Sequence, residues 1–574
     1  MDIFGLLNLI GGLSLFLFGM NIMGQALERR AGSGLRSLLS KMTSNKYIGL
    51  LTGLVVTAII QSSSATTVMV VGFVNSGLMT LRQAIHMIMG ANIGTTVTAW
   101  ILSMAGISSS NLFIQLLKPS SFTPVLALIG TIKLMFSKND KSKDTGLILL
   151  GFATLMYGME SMSAAVSGLR DVPSFQQLFL LFQNPVLGVL AGAALTAIIQ
   201  SSSASVGILQ ALAATGQVTY GAAIPIIMGQ NIGTCVTALI SSVGANKNAK
   251  RAAMVHLSFN VIGTAVWLTV FCLVKAIFAP ALLQESTSLM GIAVAHSLFN
   301  LLCTLLMLPL SQWLEALVCK LVPDSKQPEV ASELDERLLA APAVALERCR
   351  KVAADMATTS VRALNQGITA LTDFTPETAK QVQEKEDKTD HLEDILGTYL
   401  VKLSTRSISA DDSNEAARLL KIIGDFERIA DHAVNLVHSS EELQQKKMEL
   451  SAPALAELKV LTNAVSEILS LSLDAFLKDD LQSAVMVEPL EQVIDGLKEQ
   501  LRTNHILRLQ KEQCSIEAGF VWSDMLTDLE RVSDHCSNIA GCIMDMHEGK
   551  LNLHESLRAM KEDREKFAER YSLY

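Results

Sequence analysis

The chain has 574 residues, of which half are hydrophobic and 17% charged, with a formal net charge of −8 and a mean hydropathy of +0.37. A soluble chain of this size carries about a quarter charged residues, so a wholly soluble protein is excluded, and no nucleic-acid partner is expected. The average conceals a split near residue 320: residues 1–320 carry a net +9 and the remainder a net −17, which places a membrane part first and an acidic, helix-rich soluble part second.

In chain order, the N-terminus Met1-Asp2-Ile3-Phe4 lacks a basic leader and passes directly into apolar residues, so it reads as a retained first span. Apolar runs long enough to cross a bilayer follow at about 3–23, 83–105, 121–137, 146–166, 222–243, 252–279 and 289–312. Two more, 47–79 and 186–219, are broken at their centres by Gln and Ser. Polar backbone at membrane depth is tolerated only inside protein or along a cavity, so each is expected to be a re-entrant hairpin. Basic residues gather at Arg29, Arg30, Arg36, Lys41 and Lys46, at Lys138, Lys141 and Lys143, and at Lys247, Lys250 and Arg251. The opposite loops hold only Lys118 and Arg170. With the basic loops in the cytoplasm, the N-terminus lies outside and the C-terminal part inside. The eight cysteines show no framework spacing and read as free thiols.

An internal repeat runs through these segments. Thr57-Ala58-Ile59-Ile60-Gln61-Ser62-Ser63-Ser64-Ala65 recurs unchanged as Thr196–Ala204, 139 residues on. Gly90-Ala91-Asn92-Ile93-Gly94-Thr95 recurs as Gly229-Gln230-Asn231-Ile232-Gly233-Thr234, and Gly19-Met20 as Gly158-Met159, at the same offset. The first unit holds an odd number of crossings, so the second is expected upside down. An inverted repeat with hydrophobic segments interrupted at matching points marks the midplane site of a secondary transporter. A helix starting at the serines would aim unpaired N–H groups and a positive dipole end at an anion, and the hydroxyls add donors. Hydroxyl, amide and carbonyl oxygens also suit sodium. One serine run alone would read as small-residue helix packing; two identical copies with a second matched motif point to a site. Thr66, Thr67 and Ser205 lie just beyond each break and read either as ligands or as hydroxyls bonded back to their own helices. His256-Leu257-Ser258-Phe259-Asn260 and His296-Ser297-Leu298-Phe299-Asn300 are further intramembrane polar candidates.

These paired QSSSA motifs, each followed by G-x-N-I-G-T, resemble the type II sodium/phosphate cotransporter family, in particular its bacterial branch with a PhoU-like C-terminal domain. The likeness covers about residues 20–312. It implies sodium-coupled transport of inorganic phosphate across a bacterial cytoplasmic (inner) membrane. It assigns substrate and ion binding to Gln61, Ser62, Ser63, Ser64, Gln200, Ser201, Ser202 and Ser203, and less directly to Asn92, Thr95, Asn231 and Thr234, beside the candidates Thr66 and Ser205. Val206 stands where the first copy has Thr67, so ion stoichiometry does not follow from symmetry.

Residues 320–342, with Pro323, Pro328 and Pro342, read as a connector, and residues 343–574 as a helical bundle. This half repeats as well. Asp425-Phe426-Glu427-Arg428-Ile429-Ala430-Asp431-His432 matches Asp528-Leu529-Glu530-Arg531-Val532-Ser533-Asp534-His535, 103 residues on. Glu386/Asp390 and Glu491/Asp495 share a Glu-x-x-x-Asp spacing that puts both carboxylates on one helix face. One such pair reads as a solvated acidic face. The duplicated string resembles PhoU proteins, and that resemblance implies a divalent or iron metal cluster at Glu386, Asp390, Glu427 and Asp431, and at Glu491, Asp495, Glu530 and Asp534.

The expected fold is therefore all-α: a polytopic core at 1–319 (repeat one about 1–138, repeat two about 144–280, last span about 289–312), a connector at 320–342, and a cytoplasmic PhoU-like bundle at 343–574 that regulates transport. No Walker A, GxSxG or HExxH pattern is present, so no enzyme is expected. An exchanger for another small anion, a non-transporting phosphate sensor and a channel stand as alternatives, and a homodimer is left open as the assembly.

Overall fold

The computed structural model describes residues 3–40, 45–106, 118–167, 172, 181–323, 334–406 and 408–548. Lys41, Arg170 and residues 324–333 of the expected connector lie outside them. The described residues divide into two compact units, 1–345 with 406–410, and 346–405 with 411 onward.

In the first unit α1 (Ile3–Ser40) is followed by α2 (Lys46–Ile60), α3 (Ser63–Asn75), α4 (Leu81–Ser103), α5 (Pro119–Phe136) and α6 (Asp140–Ser167). Then come α7 (Pro185–Ile199), α8 (Ser202–Ala213), α9 (Tyr220–Ser241), α10 (Lys247–Phe278), α11 (Leu289–Met307) and α12 (Ser311–Leu321). Side-chain caps set many of the starts: Asn45 and Asn184 before α2 and α7, and a Thr80–Gln83 capping box before α4. The last expected span ends earlier than 312. Pro309 lacks the N–H that would continue the ladder, and α11 stops at Met307 before α12 begins. The first helix runs well past the expected 23, to Ser40. Arg29, far along it, pairs with Asp144 at 2.9 Å, so the basic stretches around 29–30 and 141–143 share one end of the α1–α6 pair.

The repeated glycines are where helices touch. A Cβ on Gly90 would sit 1.9 Å from the Leu50 carbonyl, and one on Gly229 1.9 Å from that of Val189. Gly53 and Gly192 meet Met87 and Ile226 in the same way, at 2.0 and 2.1 Å. Helix α2 thus lies against α4 as α7 lies against α9, backbone to backbone, at separations no side chain permits. Gly19 and Gly158 serve the α1–α6 crossing, where a Cβ would meet the Leu155 and Phe16 backbone nitrogens at 2.4 Å.

The connector's described part, a short 3-10 turn at Glu336–Ala340, folds onto the first unit. Asn75 Nδ2 donates to buried Asp335 at 2.5 Å, and Arg337 donates to the carbonyls of Ser241 and Val243. Asn246 completes the knot with two bonds to Asn75.

The second unit is built from α13 (Pro342–Ala370), α14 (Pro376–Ser404), α15 (Ala410–Gln445), α16 (Ala452–Lys478), α17 (Leu481–Gln510) and α18 (Ile516–Glu548). Among the described residues eight helices are long and apolar enough to cross a membrane, against seven expected. The eighth is α16. Its apolar residues Leu461, Val465, Ile468 and Leu469 are buried, and it packs on α17 and α18.

Candidate functional site

Helices α2 and α3 are separated by two residues, as are α7 and α8, and the two breaks have matching backbones. Gln61 and Gln200 both adopt φ 59°, ψ 23°, a left-handed conformation uncommon outside glycine. Each caps the preceding helix through its N–H to Thr57 or Thr196. The next residue, Ser62 or Ser201, is extended, and its hydroxyl accepts from the N–H of Ala65 or Ala204 at 3.2 Å. With that N–H used and the first intrahelical bond made by Thr66 or Ser205, the amides of Ser63, Ser64, Ser202 and Ser203 stand at helix starts with no intrahelical acceptor.

The two tips meet. Ser63 Oγ lies 3.4 Å from Ser202 Oγ, and Ser64 Oγ donates to the Gln200 carbonyl at 3.3 Å. Two hydroxyls donating to one oxyanion at about 2.7 Å each could stand 3.4 Å apart only at a narrow angle, so the tips as they stand are in close contact. Ser63 and Ser202 are both buried, while Ser62, Ser64 and Ser201 are half-buried and Gln200 is exposed. The contact is therefore closed at its centre and open along one flank.

Thr98, which the motif reading passed over, bridges the tips. Its hydroxyl donates to Gln61 Oε1 at 3.0 Å and accepts from Ser203 at 3.3 Å. A signal for it existed: the second repeated motif extends to Gly-x-Asn-Ile-Gly-Thr-x-Val-Thr-Ala in both copies, pairing Thr98 with Thr237. Thr95 and Thr234, by contrast, turn back on their own helices, to the carbonyls of Ala91 and Gln230. Asn231 reaches toward Ile227 O at 3.5 Å, and Asn92 Nδ2 is buried without a partner. Thr66 and Ser205 tie the two arms of each hairpin together, through Thr57 at 3.1 Å and Thr196 at 2.8 Å. Thr67 bonds only Ser63 O, so the hydroxyl missing at Val206 is one that holds a helix rather than one that faces the tip. Buried oxygens without partners include Gln230 Oε1, Thr237 Oγ1 and Asn260 Oδ1, and both ring nitrogens of His296 are likewise unpartnered.

In the second unit the repeat-one carboxylates crowd one another. Burial, and then Asp431, Asp387 and Asp390, push Glu386 up to about 7. Burial and Asp431 also raise Glu427. In repeat two Lys498 pairs with Glu530 at 3.1 Å, and Arg531 pairs with Asp534 at 3.4 Å as Arg428 does with Asp431 at 3.1 Å in repeat one. Among the described residues no three His, Cys, Asp or Glu side chains are placed to hold a metal ion. The cluster expected at the eight carboxylates thus finds no assembled ligand set.

Residues 15–164 and 169–301 match the family described as Na+/Pi-cotransporter, and residues 353–439 and 458–543 match the PhoU domain. The chain is 24% identical over 551 residues to YjbB of Escherichia coli O157:H7, a protein named for inorganic phosphate export, covering 94% of this chain and 97% of that one. It is 31% identical to the uncharacterized protein YqeW of Bacillus subtilis over 54% of this chain and 95% of that one. A shorter stretch, 19% of this chain and 16% of the relative, is 38% identical to the human sodium-dependent phosphate transport protein 2B. With two serine-capped tips in contact, and with these matches along both halves, the chain belongs to the Na+/Pi-cotransporter family of phosphate transporters and carries a PhoU domain.

Proposed function

We propose that this protein moves inorganic phosphate together with sodium across the cytoplasmic membrane, at the meeting point of the two hairpin tips. The observation that carries the proposal is the pairing of two serine-capped helix starts through Ser63 and Ser202. Their amides without an intrahelical acceptor, and the hydroxyls beside them once the tips part, offer donors from two directions to one tetrahedral anion. Because the hydroxyls touch, phosphate is admitted by the tips moving apart, with the half-buried flank of Ser62, Ser64 and Ser201 as its entry. Sodium is supported by the buried orphan oxygens Gln230 Oε1 and Thr237 Oγ1, hard neutral donors in an apolar surround. Asn92, Thr95, Asn231 and Thr234 are the less direct candidates, since Thr95 and Thr234 bond the carbonyls of their own helices. The N-terminus lies outside and the PhoU domain in the cytoplasm, where it regulates transport; the basic ends of α1 and α6 brought together by Arg29 and Asp144 support this orientation.

Direction follows from the gradients, since one site serves both ways. An inward sodium gradient drives uptake, and the relative named for export suggests that outward phosphate gradients are the working condition. The test is flux of labelled phosphate in proteoliposomes, in both directions, with and without a sodium gradient and with excess sulfate. Sodium-dependent phosphate flux resistant to sulfate is expected, and Ser63→Leu or Ser202→Leu should abolish it. Competition by sulfate would indicate a broader anion exchanger, and phosphate binding without any flux would indicate a sensor.

A further inference from the structure

The C-terminal helices bring together two histidines that the transport reading does not use. His432 on α15 and His535 on α18 hold equivalent places in the 103-residue repeat. Their rings lie 5.8 Å apart, centroid to centroid, tilted by 36°. Each is fixed from the opposite repeat: His432 Nδ1 is 2.8 Å from Asp528 Oδ1, and His535 Nδ1 is 2.9 Å from Asp425 Oδ1. The same carboxylate oxygens accept from Asn435 at 3.2 Å and Asn538 at 3.3 Å. The result is a two-fold-like arrangement of His, Asp and Asn from each side.

A carboxylate facing an imidazole nitrogen takes the proton side of the bond, so each Nδ1 is the donor, and in the neutral ring Nε2 carries the lone pair. Metal-binding histidines are oriented in this manner, with the far ring nitrogen held by a carboxylate that also raises the basicity of the near one. The side chains are 16% and 19% exposed, which leaves the pair reachable from solvent. An ion about 2.1 Å from each Nε2 would set the ring centroids roughly 5.3 Å apart at a tetrahedral angle and about 6.5 Å apart in line. The observed separation falls between these limits.

We propose that His432 and His535 form a two-nitrogen site for a transition-metal cation of the zinc or copper(II) class, with water completing its coordination. Imidazole nitrogen selects these ions over magnesium or calcium. The site is distinct from the eight carboxylates above, supplies none of its ligands from them, and does not depend on the transport reading. Since its two ligands come from different repeats, a bound ion pins α15 to α18.

The experiment is a titration of the full-length protein in detergent with copper(II) chloride, followed by electron paramagnetic resonance. The wild type is expected to bind one ion whose spectrum carries coupling to two imidazole nitrogens, and zinc chloride should displace it. His432→Gln and His535→Gln should each leave single-nitrogen coupling with affinity at least about tenfold lower, while Glu386→Gln should keep the two-nitrogen spectrum. Asp528→Asn retains both ligands and removes one orienting acceptor, so about a 10- to 100-fold loss of affinity with two-nitrogen coupling preserved is expected; it tests the same site should a glutamine variant not fold. Absence of a nitrogen-coupled ion in the wild type, or an unchanged two-nitrogen spectrum in either histidine variant, overturns the proposal.

Discussion

Gln61 and Gln200 share a backbone conformation to the degree, yet Gln61 is buried at 6% exposure and Gln200 is exposed. The difference is Thr98, which reaches the Gln61 side chain from α4. Removing that hydroxyl strands a buried amide oxygen and also takes the acceptor from Ser203. An orphaned buried polar group costs about 1–3 kcal/mol, so Thr98→Val should destabilise the tip by about that much and weaken phosphate binding, with Thr98→Ser restoring both. Thr95→Val, whose hydroxyl bonds only its own helix, should leave affinity within about twofold. Equilibrium binding of labelled phosphate in detergent separates the two, and equal effects would remove Thr98 from the site. Here the sequence was half legible. Identical copies of a nine-residue string marked the serines, but nothing in a repeat says which copy of a glutamine is covered by a third helix. A second residue-scale prediction concerns Glu386. Its folded pKa of about 7 lies above the ordinary glutamate value of 4.5, so the folded state holds a proton that the unfolded chain releases first. Stability is complete below about pH 4.5 and falls as pH rises toward 7. Amide exchange of peptides within α14, corrected for intrinsic rates, should speed up between pH 5 and 7, and Glu386→Gln should flatten that change. A wild-type profile in the variant would assign the pH dependence elsewhere.

At the scale of elements, the repeated motifs divide into two kinds. The Gly-x-Asn-Ile-Gly-Thr strings are largely packing: their glycines let α4 and α9 lie on α2 and α7, at distances where a Cβ would meet a carbonyl oxygen at about 2 Å. The Gln-Ser-Ser-Ser strings are the breaks themselves. Sequence periodicity could separate helices from breaks because a polar run inside an apolar segment is itself the signal. It could not show whether the two tips are apart or in contact, since that depends on how the hairpins sit on α4, α9 and α10. The contact between Ser63 and Ser202 yields a direct prediction. With both hydroxyls 3.4 Å apart, a Ser63→Cys, Ser202→Cys double variant should cross-link under mild oxidation. If the tips must separate for phosphate to enter, the cross-link should abolish flux, a reducing agent should restore it, and saturating phosphate should slow its formation. Full flux through a cross-linked protein would show that the tips do not move apart during transport.

Across the molecule as a whole, composition located the change from membrane to soluble chain near residue 320, because charge density changes sharply there. Prolines and polar residues mark 320–342 as a connector. Its described end is a fixed part of the first unit. Asp335 is 3% exposed and bonded to Asn75 at the end of α3, and Arg337 stands over the last carbonyls of α9 and its following turn. A Cβ on Gly72 would touch Arg337 and Leu338 at 3.1 Å, so the turn lies directly on the hairpin arm. Cutting the chain before or after this turn should then give different proteins. Ending it after Ala345 keeps Asp335, Arg337 and the buried Leu338 and Leu339 in place, and sodium-dependent phosphate binding should survive. Ending it after Pro323 uncovers α3, leaves Asn75 without Asp335, and frees the carbonyls of Ser241 and Val243. The loss of two buried leucines at roughly 1.5–3 kcal/mol each, together with the stranded polar groups, should lower the unfolding temperature in detergent and reduce the monodisperse fraction on size exclusion. Phosphate binding should fall with it, because Asn75 ends the same helix that Ser63 begins. If both truncations show the same stability and the same affinity, residues 334–341 are a spacer after all, and hairpin one stands without them.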